Sequence, residues 1–222
     1  MVQFNLRQKE LTLKVVYYGP GLSGKTTNLQ ALHDLAPRQS VGRLMTLETR
    51  DDRTLFFDLL PVSLQTGNGY RIKIKLFTVP GQTIHKSTRR IVLQGADAVV
   101  FVADSQISET QANKQSYGDL LQNLEANGLS IQMPLVVQFN KRDLPAIRTD
   151  QEIEEFRKRR NHPVVPAVAI RGVGVQETLS AILEQVWEHL ESTYGISDKL
   201  KMNRDDFMGG FFSNWKSAET SK

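Results

Sequence analysis

The sequence predicts an α/β domain: a mostly parallel sheet of six strands, flanked by helices, with one antiparallel hairpin. Three observations predict it. Apolar, strand-like runs alternate with helical periods along most of the chain, the pattern of βαβ units around a parallel sheet. Gly19-Pro20-Gly21-Leu22-Ser23-Gly24-Lys25-Thr26 fits G-x-x-x-x-G-K-[ST] between an apolar run and a helical one, the context in which that motif cradles phosphate. Residues 71–76 alternate strictly after Gly67-Asn68-Gly69, and Asn-Gly is a strong hairpin signal.

Taken in order, residues 1–10 read as a polar arm, either an extra strand or a cap. Leu11 to Tyr18 is the first core strand, and the helix after the glycine-rich loop stops near Ala36, because Pro37 disfavours helix at the residue before it. Residues 38–53 hold few apolar side chains and no period, so a loop is expected. Leu55 to Leu64 and Arg71 to Leu76 form the antiparallel pair. Pro80-Gly81-Gln82 ends the second of them, and a helical stretch reaches about Gln94. Ala98 to Ala103 and Leu135 to Phe139 are continuously apolar, as strands covered on both faces should be. Helices are expected over 116–127 and 151–160, and a last strand over 164–169. Leu179, Ile182, Leu183, Val186 and Leu190 recur at helical spacing up to Gly195.

Composition narrows the function classes. The chain is 40% hydrophobic and 23% charged, enough apolar content for a buried core. It has no cysteine, which excludes disulfides, thiol catalysis and zinc-thiolate sites. The start is polar and no apolar run reaches membrane-spanning length, so neither secretion nor a membrane span is expected. Val2 and the Thr220-Ser221-Lys222 end predict no lipid anchor. The net charge of +4 is weak and scattered, which argues against nucleic acid as a partner. The histidines sit at no metal-ligand spacing. Arg157-Lys158-Arg159-Arg160 reads as a solvated basic face, with anionic-partner binding as the alternative.

The chemistry converges on the carboxyl ends of the strands, where open α/β sheets bind ligands. Backbone N–H groups of the glycine-rich loop and the positive end of the following helix suit phosphate. The cradle comprises Gly19, Gly21, Leu22, Ser23, Gly24, Lys25, Thr26 and Thr27. Lys25 would reach the outer phosphates, and the Thr26 hydroxyl would take one Mg2+ position. Asn140-Lys141-x-Asp143, at the end of a buried strand, names the base. A carboxylate at 143 can accept from both N1–H and the exocyclic amine of guanine, a donor pair that adenine lacks. A site of this kind rejects such an analogue by roughly 10⁴-fold. Asn140 could tie this loop back to the phosphate loop.

These motifs, with Val16-Tyr17-Tyr18-Gly19-Pro20-Gly21-Leu22, Arg53-Thr54-Leu55-Phe56-Phe57-Asp58, Thr78-Val79-Pro80-Gly81-Gln82 and Val100-Phe101-Val102-Ala103-Asp104-Ser105, resemble the Ras-like small GTPase family, and within it the bacterial MglA-type gliding-motility and cell-polarity branch. The resemblance covers about residues 2–194. It implies a P-loop small GTPase fold over residues 1–195; residues 196–222, outside the resemblance, are expected to form an extension with an aromatic cluster, partly flexible. It implies GTP and GDP as ligands with Mg2+, and slow hydrolysis stimulated by an activating protein. Thr54 resembles the threonine that joins Thr26 on the metal. Gly81 resembles the glycine that senses the γ-phosphate, and Gln82 the glutamine that orients the attacking water. Arg53 resembles the arginine this branch supplies in cis; the plain alternative is a solvent-paired charge beside Asp51 and Asp52. Ala169 offers its N–H to the guanine oxygen, although the lysine of the family's Ser-Ala-Lys turn is missing. Most of the wider family carries aspartate where this chain has Thr78. Asp58 is a candidate substitute, set against a surface or strand-edge role. The implied partners are an MglB-like roadblock-type activating homodimer and polarity or motility effectors. The implied location is cytoplasmic, with recruitment to a cell pole. A scaffold that binds GTP without turning it over is the alternative function.

One feature lies outside the resemblance. Phe207, Met208, Phe211, Phe212 and Trp215 cluster in an otherwise polar tail, and such rings should not stay exposed. They either fold back on the domain or bind a partner groove or a membrane interface.

Overall fold

The computed structural model describes residues 2–5, 7–48, 56–66, 68–81, 86–159, 162–212 and 215. The fold class is the one expected, but the sheet is larger: among the described residues it has eight strands rather than six. The strands are β1 (Gln3–Asn5), β2 (Glu10–Tyr18), β3 (Met45–Glu48), β4 (Phe56–Gln65), β5 (Arg71–Thr78), β6 (Ala98–Asp104), β7 (Leu135–Asn140) and β8 (Val164–Pro166). The helices are α1 (Lys25–Leu35), α2 (Lys86–Leu93), α3 (Thr110–Ala126), α4 (Asp150–Lys158), α5 (Val175–Tyr194), α6 (Ile196–Leu200) and α7 (Arg204–Phe212).

The two strands beyond six are β1 and β3. Both are short edge strands whose ladder bonds come from the neighbour, so an apolar period was not needed to form them. β1 pairs antiparallel with β2, and β3 pairs antiparallel with β4 inside the stretch expected to be loop. The sheet runs β3-β4-β5-β2-β6-β7-β8, with β5, β2, β6, β7 and β8 parallel. β4 and β5 form the expected hairpin, pairing Leu59 with Phe77 through to Gln65 with Arg71. β8 is shorter than expected, because the chain leaves it at Pro166 for a 3-10 turn over Ala169–Arg171.

Strand alternation divides the core in two. Leu11, Leu13, Val15 and Tyr17 of β2 point to one face, where α1, α5 and the C-terminal helices pack. Val16 and Tyr18 point to the other, under α2, α3 and α4. β6 and β7 are buried along their whole length, as their continuous apolar runs require. α5 lies along the sheet between Gly174 and Gly195, both left-handed (φ 74° and 57°). A side chain at Gly174 would also strike the Pro166 carbonyl. No helix among the described residues is long and apolar enough to cross a membrane.

The aromatic tail folds back. Phe207 and Phe211 are four apart, hence on one face of α7, and both are buried in the larger core. Phe207 stacks against Trp187 of α5 at 5.2 Å and against Phe211 at 5.3 Å. Burial of these rings outweighs the poor helix propensity of Gly209 and Gly210. The expectation of partner docking through 207–215 is therefore corrected for Phe207 and Phe211, whose rings are spent inside the fold.

Candidate functional site

The glycine-rich loop joins β2 to α1 at the carboxyl end of the central strand. Its backbone takes up conformations open to few residues. Gly24 is left-handed at φ 98°, and a side chain there would meet the Asn140 amide at 2.2 Å. Leu22 also has positive φ and is 91% exposed, so its side chain is turned out of the cradle. The Ser23 hydroxyl is buried and finds no hydrogen-bond partner among the described residues. Lys25 is buried and donates to the carbonyls of Gly19 (3.1 Å) and Pro20 (2.6 Å). Burial, helped by nearby Arg89 and opposed by Asp58, pushes its ammonium down to about 7. A lysine so depressed is stabilised by an arriving anion.

Beside it is a cavity of about 350 Å³ lined by Lys25, Thr26, Thr27, Asp58, Thr78 and Gly81, among others. Asp58 is buried, not on the surface or at a free edge. Its carboxylate accepts from the hydroxyls of Thr26 (2.6 Å), Thr78 (2.9 Å) and Thr46 (2.9 Å), while its own N–H donates to Thr78 Oγ1 (2.9 Å). Thr26 belongs to the loop, Thr46 to β3, Asp58 to β4 and Thr78 to β5. A carboxylate from the neighbouring antiparallel strand thus stands against the hydroxyls of Thr26 and Thr78. A buried carboxylate amid hydroxyl oxygens beside the phosphate cradle is a hard-cation donor set, so the residues present fit Mg2+.

The base side is wired internally. Asn140 donates to the Ser23 carbonyl (2.9 Å) and accepts from the Ala169 N–H (2.9 Å), so one side chain joins the glycine-rich loop, the end of β7 and the last loop. That N–H, expected to face guanine, here faces Asn140. Lys141 has positive φ (64°), and its ammonium bonds Asp104 at 2.5 Å. Asn113 of α3 in turn brackets the backbone of Asp104. Asp143 is exposed and has no partner among the described residues. Below the loop, Asn28, Gln138 and Thr178 form a buried chain linking α1, β7 and α5.

Gly81 closes the other side. A side chain on it would come within 2.4 Å of the Gly21 Cα and 3.3 Å of Lys25 Nζ. Its position is held by Arg89, a fully buried arginine of α2 that donates to the carbonyls of Pro80 (2.9 Å) and Gly81 and to Asp119 of α3 (2.9 Å). Tyr18 donates to the same Asp119 carboxylate.

Gly19, Gly21, Leu22, Ser23, Gly24, Lys25, Thr26, Thr27, Gly81, Asn140, Lys141 and Ala169 thus gather at one end of the sheet, with Asp143 on its rim. Arg53, Thr54 and Gln82 lie outside the described residues. Sequence reading passed over Arg89, Asp104, Asn113 and Thr46. Arg89 stands among polar residues ahead of Ile91-Val92-Leu93, so no local pattern marked it, whereas a polar residue ending an apolar strand was the signal for Asp104.

A phosphate cradle, a guanine-type motif and a hard-cation pocket at the carboxyl end of a parallel sheet define a P-loop GTPase of the small class. The model of the ADP-ribosylation factor family matches residues 1–186. The chain is also 45% identical over 188 residues to the mutual gliding-motility protein MglA of Myxococcus xanthus (strain DK1622), a match covering 84% of this chain and 96% of that protein. The chain belongs to the ADP-ribosylation factor family and is an MglA-type small GTPase. GTP and GDP binding, Mg2+ and GTP hydrolysis come with that membership.

Proposed function

We propose that this chain is a GTP-driven switch acting in bacterial polarity or motility, with its nucleotide held by the residues gathered above. The observation that carries the reading is Asn140, whose one amide fastens the phosphate loop to the base-side loop. Phosphates sit on the N–H groups of residues 21–27, and Lys25 exchanges its carbonyl partners for phosphate oxygens. Asp143, unpartnered, accepts from guanine, with Ala169 beside its oxygen. Mg2+, when bound, offsets phosphate charge; Thr26, Asp58 and Thr54 would hold it, Asp58 standing in for the aspartate absent at 78. The Gly81 N–H senses the γ-phosphate, Gln82 orients the attacking water, and Arg53 offsets charge developing on the γ-phosphoryl oxygens. An MglB-like roadblock-type homodimer is the activating partner, and polarity or motility effectors read the GTP form.

Single-turnover hydrolysis with wild type, Gln82→Ala and Arg53→Ala, with and without a roadblock-type protein from the same genome, tests this. Stimulation in wild type that is lost in both variants supports it. Tight GTP binding with no turnover under any condition would leave a nucleotide-locked scaffold instead.

A further inference from the structure

Residues 196–212 lie beyond the stretch matched by the family model, yet they are built into the same fold. Their point of attachment is the tip of the β4–β5 hairpin. The Asn68 amide is fully used there. Its oxygen accepts from Thr66 Oγ1 (2.5 Å), and its nitrogen donates to the carbonyls of Leu200 (2.6 Å) and Lys201 (2.8 Å). Those carbonyls close α6, which ends at left-handed Lys201 (φ 47°), so they have no helical donors of their own. Tyr70 adds a bond from its hydroxyl to the Lys199 carbonyl (3.3 Å). From there α7 packs on β4 and on α5, and α5 in turn rests on β6 and β7. The extension therefore ties the hairpin tip to the opposite half of the sheet.

The other end of the same hairpin carries Asp58 and Thr78 against Thr26. The ladder from Leu59–Phe77 to Gln65–Arg71 is unbroken, so the tip and the Asp58 end belong to one continuous pair of strands. At about 3.3 Å per residue, Asn68 acts roughly 30 Å from Asp58. We propose that the C-terminal extension is a positioning element of the phosphate site: by holding the hairpin tip through Asn68, it sets the axial position of β4–β5 and hence how Asp58 meets Thr26. This rests on the assignment of Asp58 to the metal side of the site.

Truncation after Gly195 would strip Phe207 and Phe211 from the core, so a point variant in the full chain carries the test. Release of a fluorescent GDP analogue is followed against Mg2+ concentration and in EDTA for wild type, Asn68→Ala and Asp58→Asn. Amide hydrogen exchange of residues 59–65 is measured in the nucleotide-free protein. The expected result for Asn68→Ala is a roughly 3-fold higher Mg2+ requirement, below the 10–100-fold typical of an outer-shell partner itself because Asn68 acts only through the hairpin. Release in EDTA should be unchanged, and exchange should be faster in β4 but not in α5. Faster release in EDTA and Mg2+ alike would mean general loosening and overturn the proposal, as would unchanged β4 exchange. A shift in Asp58→Asn without one in Asn68→Ala overturns the positioning role and leaves the metal assignment standing. No shift in Asp58→Asn overturns the metal assignment, and this inference with it.

Discussion

Two of the site's acidic residues, Asp58 and Asp143, sit in opposite surroundings. Asp143 stands exposed and without a partner among the described residues, next to Asn140 and Lys141, which are already bonded to Ser23, Ala169 and Asp104. Asp58 is buried under three threonine hydroxyls drawn from the loop, β3 and β5. The base side is a rigid frame with one open acceptor. The phosphate side is a packed network whose hydroxyls Asp58 gathers. Recognition at the first depends on a group kept free, and at the second on a group held in place. Variants at the two should therefore fail differently.

The largest effect is expected at the free acceptor. Asp143→Ala removes the group that pairs two guanine donors, and should weaken guanine nucleotide binding by about 10⁴-fold while bringing GDP and ADP close together. Competition between labelled GDP and unlabelled ADP reads this directly; retained guanine preference would show that the base is read elsewhere. Thermal stability should hardly move, because the carboxylate is exposed and bonds nothing among the described residues. Arg89→Ala should do the opposite. It leaves Asp119 half-stranded and frees the carbonyls of Pro80 and Gly81, at a cost of about 3–5 kcal/mol, the usual penalty for breaking a buried ion pair. Denaturant unfolding measures it, and a loss near that of an exposed pair would mean the clasp is not built as described.

This contrast also marks what was legible in the sequence. The cradle and the base-side residues each lie in a contiguous motif, and placing both motifs at the carboxyl ends of strands brought Gly24, Lys25 and Asn140 together. Asp58 needed the register of β4 against β5, which no local pattern encodes. A carboxylate in an alternating strand looks the same whether it faces solvent or Thr26. β3 escaped for a related reason: its Met-Thr-Leu-Glu alternation is only four residues long, and the ladder that makes it a strand comes from β4. The tail was half-legible. Five aromatic or sulfur side chains near a Gly-Gly pair announced burial, but only the fold showed that Trp187 is what Phe207 covers.

Asp58→Asn sharpens the comparison from the buried side. The amide keeps shape and still accepts from hydroxyls, but it carries no charge for a divalent ion. The expected result is a 10–100-fold higher Mg2+ requirement for nucleotide retention, with guanine-over-adenine preference intact. If base preference collapsed as well, the two halves of the site would be one cooperative unit and the distinction drawn here would fail.

The smallest effect is a proton. Lys25 sits at about 7 in the free protein, against 10.5 for an ordinary lysine, chiefly because it is buried. Between those values the unfolded chain carries a proton there that the folded chain lacks. The unfolded state therefore binds more protons, and this group makes the nucleotide-free protein more stable as pH rises from about 7 toward 10. Phosphate oxygens beside the ammonium reverse the shift, so nucleotide binding should draw a proton onto Lys25. At about pH 8.5, above the titration of a terminal phosphate near 6, GDP binding should take up close to one proton. Calorimetry in two buffers of different ionisation enthalpy gives the number. Zero uptake would mean that Lys25 is already charged among the Gly19 and Pro20 carbonyls, and that the phosphate side is prepared by fixed charge rather than completed by its ligand.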